Sequence, residues 1–429
     1  MIRPAAILLC ALAFVLPARA QTLEQALLGG RPVADIRLRY ESVSDESRAF
    51  TGAGATLRAR LGYDTAAWNG LALSASFDIL APVGDTAYNT TRNGKTQYAQ
   101  IGDTPLVALK HLNLTYAGHD TRVTLGRQRL ALGSQRFLAS PDWRMHGSSF
   151  DAVQIVNTAI ADLALTYIYI DRANRIYGET VPFDVAASAA ATTQAGYYDS
   201  DSHVMSAAWT GLAGLRLEAY ALLLDFKPPH YAVSAAQRTA NARLATATWG
   251  GRAEYDVALT GGLRARLVAD HARQTPYAGN PQTFELAYWL GEAGLNWNGY
   301  GAALGYEVLS GNGTVALSTP LGWLHNNNGW ADLFTTTPVN GLADLYVRGT
   351  KSWPGVLGMR SLNTTIAWHG FRTDRLGVGL GSEWDAQAEL QIDGNFSVVL
   401  KYADYQGSGI GFGGAPDKSV FWLQTAWRY

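Results

Sequence analysis

From residue 33 onward, apolar and polar positions alternate in runs of about ten residues, the period of two that specifies strands with one apolar and one polar face. In residues 35–41, Ile36, Leu38 and Tyr40 share one face, while Asp35, Arg37, Arg39 and Glu41 share the other. The next run sets Leu57, Ala59, Leu61 and Tyr63 against Thr56, Arg58 and Arg60. Near the end, Trp384, Ala386, Ala388, Leu390 and Ile392 oppose Glu383, Asp385, Gln387, Glu389 and Gln391. The last run carries Phe421, Leu423, Thr425, Trp427 and Tyr429 on one face, with Trp422, Gln424, Ala426 and Arg428 on the other.

Short turn signals punctuate the pattern at Asn69-Gly70, 118–120, 157–161, 211–214, 260–262, Asn298-Gly299, 354–360 and 393–395. Longer polar, Gly/Asn/Pro-rich stretches lie between them at 42–54, 81–105, 131–149, 172–202, 226–242, 273–283, 310–341, 372–379 and 406–418. Eight short turns interleaved with nine long loops predict eighteen antiparallel strands, both termini falling on the short-turn side. Runs of about ten residues suffice to cross a bilayer as tilted strands. An arginine facing lipid costs about 2–4 kcal/mol at the midplane, so the charged faces must line the interior. The predicted fold is an all-β, antiparallel transmembrane β-barrel with short periplasmic turns and long extracellular loops, spanning 33–429. A soluble sandwich explains any one strand equally well, but not the whole series.

Both ends of the chain agree. Arg3, an apolar stretch over 5–16 and Ala18-Arg19-Ala20 read as a secretory signal peptide, residues 1–20. Cys10 lies inside that apolar stretch, and Ile7-Leu8-Leu9 before it lacks the small residue of a lipoprotein signal. The chain beyond has no cysteine, which excludes disulfides and thiolate metal sites. Residues 21–32 form a short periplasmic segment: Thr22 to Gln25 reads as a capping box, Gly29-Gly30 as a helix stop, and no plug domain fits there. The aromatic terminal strand is typical of Gram-negative outer-membrane barrels and implies recognition by the barrel-assembly machinery. The other expected partners are outer-membrane lipid and lipopolysaccharide.

Composition adds that 45 Gly, 21 Tyr and 13 Trp accompany only 16% charged residues. No apolar run long enough for a spanning helix follows the signal. The net charge of −1 gives no reason to expect nucleic acid.

Interior chemistry is where function must reside. Arg37, Arg39, Arg58 and Arg60 cluster on neighbouring strands; Arg252, Arg264 and Arg266 form a second group; Glu383, Asp385 and Glu389 form an acidic wall. Opposed basic and acidic walls set up a transverse field across a pore. Guanidinium forks suit carboxylates, hence uronates and organic acids. The same groups can instead pair with one another and simply make the wall polar. An anion-attracting pore is expected, and reversing Arg58 and Arg60 to glutamate is expected to weaken or reverse that preference.

One segment is more specific. It runs Gly126-Arg127-Gln128-Arg129, Gln135-Arg136-Phe137, Asp142-Trp143-Arg144, Phe150-Asp151, then Asp171-Arg172-Ala173-Asn174-Arg175-Ile176-Tyr177-Gly178. With residues 35–40, this order resembles the alginate-export family of outer-membrane porins. The resemblance implies a passive porin whose basic lining falls on Arg37, Arg58, Arg127, Arg129 and Arg144, with Asp151 and Asp171 as partners. It implies an acidic sugar or alginate-like polysaccharide as solute. Strict alternation from Val123 and Leu125 points Arg127 outward, so either Gly126 is a bulge, the preferred reading, or Arg127 lies above the membrane. The short turn at 393–395 replaces the long one with which a polymer exporter of that family closes its pore. Membership of that family is therefore better supported than alginate as its particular solute, and uronate oligo- or polysaccharides and small carboxylates are all expected candidates.

Other classes are weaker. The eight histidines, among them His111, His146, His203 and His271, form no catalytic motif, so no enzyme activity, cofactor or metal is expected. Asn326-Asn327-Asn328 reads as a solvated loop before a calcium site. Trp323, Trp384, Trp422 and Trp427 suit interfacial girdles, while Trp143 and Trp330 are the candidates for stacking on sugars. A surface structural or adhesive barrel is the alternative to a channel.

Overall fold

The computed structural model describes residues 19–20, 22–178, 196–227, 235–408 and 415–429; the leader through residue 18 and parts of three long loops lie outside them. Eighteen long strands follow in chain order: β1 (Arg31–Asp45), β2 (Gly52–Asp64), β3 (Leu71–Ala87), β4 (Leu106–Gly118), β5 (Thr121–Gln128) and β6 (Ser149–Asn157). Next come β7 (Leu163–Asn174), β8 (Tyr197–Leu212), β9 (Leu215–Leu224), β10 (Thr246–Ala258), β11 (Arg264–Pro276) and β12 (Leu286–Trp297). The last six are β13 (Tyr300–Leu309), β14 (Leu342–Pro354), β15 (Ser361–Arg372), β16 (Gly379–Gln391), β17 (Phe396–Gly407) and β18 (Lys418–Arg428). Each pairs antiparallel with its sequence neighbours. The barrel closes by β18 against β1, in the register Asp35↔Arg428 through Asp45↔Lys418. Closure leaves no unpaired strand edge for hydrocarbon to meet.

Side chains sort as the alternation requires. Ile36, Leu38, Tyr40, Leu57, Leu61, Leu423 and Trp427 are exposed on the outer wall. Arg37, Arg39, Glu41, Arg58, Arg60, Glu383 and Asp385 are buried on the inner one. The exterior is thus an apolar belt, and the chain is a multi-pass barrel of the outer membrane. All eight short turns fall where the signals stood. At His119–Asp120 and Asn298–Gly299 both central residues have positive φ, the geometry that matches hairpin twist.

Two local readings are corrected. Strands continue beyond their apolar runs, β1 to Asp45 and β3 to Ala87, because pairing above the membrane needs no lipid-facing side chain. Pairing through Gly126 is continuous on both sides (Asn113↔Gly126↔Ala152, Leu112↔Arg127↔Asp151), so no bulge lies there. The register slips instead at Lys110 and at Asp171. Gly126 itself sits at φ +108, and a Cβ there would lie 2.4 Å from the Leu112 carbonyl oxygen. Gly126→Ala is expected to cost on the order of 1–3 kcal/mol, read as a lower midpoint for heat-induced unfolding of the barrel in gels.

Before β1, helix α1 (Leu23–Leu28) has the capping box, with Thr22 accepting from the Gln25 N–H and the Gln25 side chain accepting from the Thr22 N–H. The Ala26 carbonyl accepts from the Ala66 N–H, which ties the helix to the β2–β3 turn.

Candidate functional site

Loop 3 (residues 129–148) and loop 7 (residues 310–341) fold into the barrel and cross it. The basic wall grips loop 3 by its backbone. Arg37 donates to the Asp142 carbonyl (2.7 Å), Arg39 to Trp143 (2.5 Å), Arg58 to Met145 (3.2 Å), and Lys110 to Gly147 and Ser148 (2.5 and 2.8 Å). Arg60 forks between the carboxylates of Asp78 (2.6 Å) and Asp142 (2.8 Å). Arg58 also pairs with Asp35 at 2.5 Å, and Arg39 with the Gln424 amide oxygen. Burial alone would raise the Asp142 carboxyl; Lys110, Arg60 and Arg129 around it outweigh that and hold it well below the usual range.

The acidic wall does the converse. Glu383 accepts from the Ala331 N–H (2.7 Å) and Asp385 from the Trp330 N–H (3.3 Å) of loop 7. Asn328 donates to Glu307 (2.6 Å) and Asp344 (3.2 Å). One wall therefore binds carbonyl oxygens and the other N–H groups, matching each loop's polarity to its wall. The two loops also join each other: Ala139 N–H to Leu321 (2.8 Å), Trp323 N–H to Gln135 (2.9 Å), and Arg136 to Asn328 (2.8 Å). Arg136 reaches Glu307 at 3.2 Å, and Phe137 packs between Tyr220 and Tyr288. Loop 3 thus runs from the β1–β4 wall to the β9–β13 wall as part of one partition.

Each expected residue has a defined place. Arg144 bridges Glu41 (2.9 Å) and Asp332 (3.6 Å); burial would lower its pKa, and Glu41, Asp103 and Asp332 more than restore it. Arg127 forks onto Asp151 (2.6 and 2.7 Å), in register with exposed Leu112 and two residues from exposed Leu125, outside the basic cluster. Asp171 is exposed at a register slip. Arg129 reaches into the lumen beside Asp142 at 3.4 Å. Arg252 pairs with Glu254 and Asp270, Arg264 with Asp256, and Arg266 with Glu254. In the β10–β11 register Arg252 lies opposite Asp270 and Arg266 opposite Asp256.

Sequence reasoning missed Asp78, Lys110, Glu307, Asp344 and Lys401, although inward parity marks several of them. Three tryptophans are reassigned. Trp323, read as a girdle residue, lies in loop 7 of the partition, its backbone N–H donating to the Gln135 carbonyl. Trp422 is no girdle residue but fully buried against Trp143, and the Trp143 ring, expected to be free for a sugar, is stacked on His325. Only the fold could show that loops 3 and 7 bring these rings together.

The closed eighteen-stranded barrel, its apolar exterior and its loop-crossed, charged lumen define the outer-membrane porin architecture. Among the described residues, no group of three or more His, Cys, Asp and Glu is placed to hold a metal ion. Similar solved structures include Pseudomonas aeruginosa OccK3 (OpdO), at TM-score 0.66 and 13% identity over 95% of this chain and 97% of that one. The crystal structure of P. aeruginosa OpdK with vanillate gives 0.65 and 11% over 93% and 98%, and Acinetobacter baumannii OccAB2 gives 0.67 and 10% over 93% and 98%. At such identities the likeness is one of fold. No family model and no curated protein matches the chain, so the resemblance to the alginate-export family rests on the motifs of 126–178 and residues 35–40.

Proposed function

We propose that this chain is a passive channel for small anionic solutes, acidic sugars and small carboxylates in particular. The observation that carries this is the unequal exposure of its lumenal ion pairs. The Arg216 side chain is 40% exposed and its partner Glu218 3%; for Arg348 and Glu292 the values are 41% and 13%. Arg266 and Glu254 give 43% and 25%, and Arg129 and Asp142 give 55% and 22%. The order reverses for Arg264 and Asp256 (37% and 43%), for Arg252 and Glu254 (8% and 25%), and for the loop-gripping Arg60 with Asp142 (7% and 22%) and Arg58 with Asp35 (0% and 14%). At Arg129, Arg216, Arg266 and Arg348, recessed carboxylates behind forward guanidiniums present water with cationic spots, although the pairs balance in number. A partition spanning the lumen suits a small solute over a polymer such as alginate. Vanillate, present in the OpdK crystal structure, is a small carboxylate of the class proposed. The membrane lipid against the outer belt and the assembly machinery reading the terminal strand are the partners of this reading.

Arg266→Gln with Arg348→Gln is expected to lower the anion-to-cation permeability ratio about twofold per charge removed. Reversal potentials in planar bilayers under a salt gradient measure it. Cation selectivity in the unaltered protein would sink the reading, and a barrel with no conductance under any condition would favour the structural alternative.

A further inference from the structure

The partition meets the β17–β18–β1 wall through one compact cluster. The His325 ring of loop 7 stacks on Trp143 of loop 3, with centroids 4.5 Å apart and planes at 5°. Trp422 of β18 lies edge-on to both, at 5.5 and 5.7 Å. His325 Nδ1 is 2.9 Å from Asp332, and Nε2 is 2.8 Å from Lys401 Nζ. An ammonium can only donate, so Nε2 is the acceptor and Nδ1 carries the hydrogen in this arrangement. Lys401 sits over Trp330 at 3.6 Å and over Trp143 at 4.2 Å. Further charged groups face the cluster from every side. They are Arg144 on loop 3, Arg39 and Glu41 on β1, Glu383 and Asp385 on β16, and Lys418 on β18, which donates to the Ala331 carbonyl.

We propose that this cluster is an acid-released latch: neutral His325 holds the joined loops 3 and 7 against the wall, and its protonation frees the partition and opens the channel. The inference rests on the channel reading above. A protonated imidazole cannot accept from Lys401, and it would add a cation beside Lys401 and Arg144. Asp332 offsets this only in part, since it already serves His325 and Arg144. Burial lowers the His325 pKa to about 3, with Asp332 opposing and Lys401 assisting. Released into water, the ring returns to about 6.5. The freed state therefore takes the proton first. The latched state keeps its full advantage above about pH 6.5 and loses it as pH falls toward 3. Between pH 7 and pH 5 the freed-to-latched ratio rises about 25-fold.

Single-channel recordings at pH 7 and pH 5 should show the ratio of open to closed time rising by that order in the unaltered protein. His325→Gln keeps a donor and an acceptor without titrating, and should flatten the response. The latch is also read without conduction. No cysteine lies beyond Cys10, so Asn326→Cys and Gly394→Cys can carry a spin-label pair linking loop 7 to a periplasmic turn. Its distance distribution should broaden at pH 5 with His325 present and stay narrow with His325→Gln. An unchanged distance at both pH values, or an equal pH response in the His325→Gln channel, overturns the latch. A distance that shifts in a barrel that never conducts supports the latch and overturns the channel reading instead.

Discussion

Arg60→Glu will detach loop 3 from the wall and raise the channel's conductance several-fold, with the barrel still folded. The Arg60 side chain is buried between Asp78 and Asp142, and the substitution puts a third carboxylate where the guanidinium joined two. Breaking such a pair from one side costs about 3–5 kcal/mol, mostly from the charges left buried and unpaired. Two carboxylates would then repel the substituted position, while Lys110 alone is too distant from Asp142, at 3.8 Å, to replace the fork. The strand ladder does not pass through these groups, so the heat-modifiable band in gels should persist. Loop residues Arg129, Arg136 and Arg144 should become sensitive to trypsin. Unchanged conductance together with an unchanged cleavage pattern would refute the anchoring role. From the sequence, reversing Arg58 and Arg60 was expected to act on selectivity. The geometry moves the main effect to the loop those residues hold.

Glu307→Leu will destabilise the partition by about 3–5 kcal/mol, because Arg136 loses the carboxylate that neutralises it in a buried site. Glu307 also accepts from Tyr288 Oη at 2.7 Å and from Asn328 Nδ2 at 2.6 Å, so the tyrosine loses that acceptor and Asn328 is left with Asp344 alone. Arg136→Leu combined with Glu307→Leu should recover much of the loss, since apolar replacement of both partners removes the stranded charge. Hydrogen exchange of residues 310–341 in detergent measures both variants against the unaltered protein. A double variant no more protected than Glu307→Leu would show that the ion pair is not what matters there.

Much of this fold was legible because the bilayer imposes a two-sided code. Lipid cannot tolerate Arg37, Arg58 or Glu383, and water wins nothing from Leu38 or Leu61, so parity along each strand reveals which way it faces. Asn69-Gly70 and Asn298-Gly299 need left-handed backbone, and few residues supply it cheaply. Strand ends were less legible, since β1 and β3 continue where both faces meet water and no hydrophobic period marks them. Gly126 misled for another reason. A glycine at positive φ inside a strand resembles a bulge in sequence, yet here it keeps its pairing.

The site divides the same way. That Arg37, Arg39, Arg58 and Arg60 face inward was set by alternation, and that β18 meets β1 near residues 36–41 followed from counting strands. What those arginines hold was not, because hydrogen bonds to the carbonyls of Asp142, Trp143 and Met145 leave no trace in side-chain type. The meeting of His325, Trp143, Lys401 and Trp422 joins residues up to 279 positions apart (Trp143 to Trp422), and no periodicity encodes it. The sequence by itself determined the barrel, its strand number and the sorting of its two surfaces, since each follows from a local period of two in a known solvent. Only the tertiary structure decided that the walls are bridged by the chain's own loops. That outcome depends on backbone groups and long-range partners, which are invisible until the barrel has closed around them.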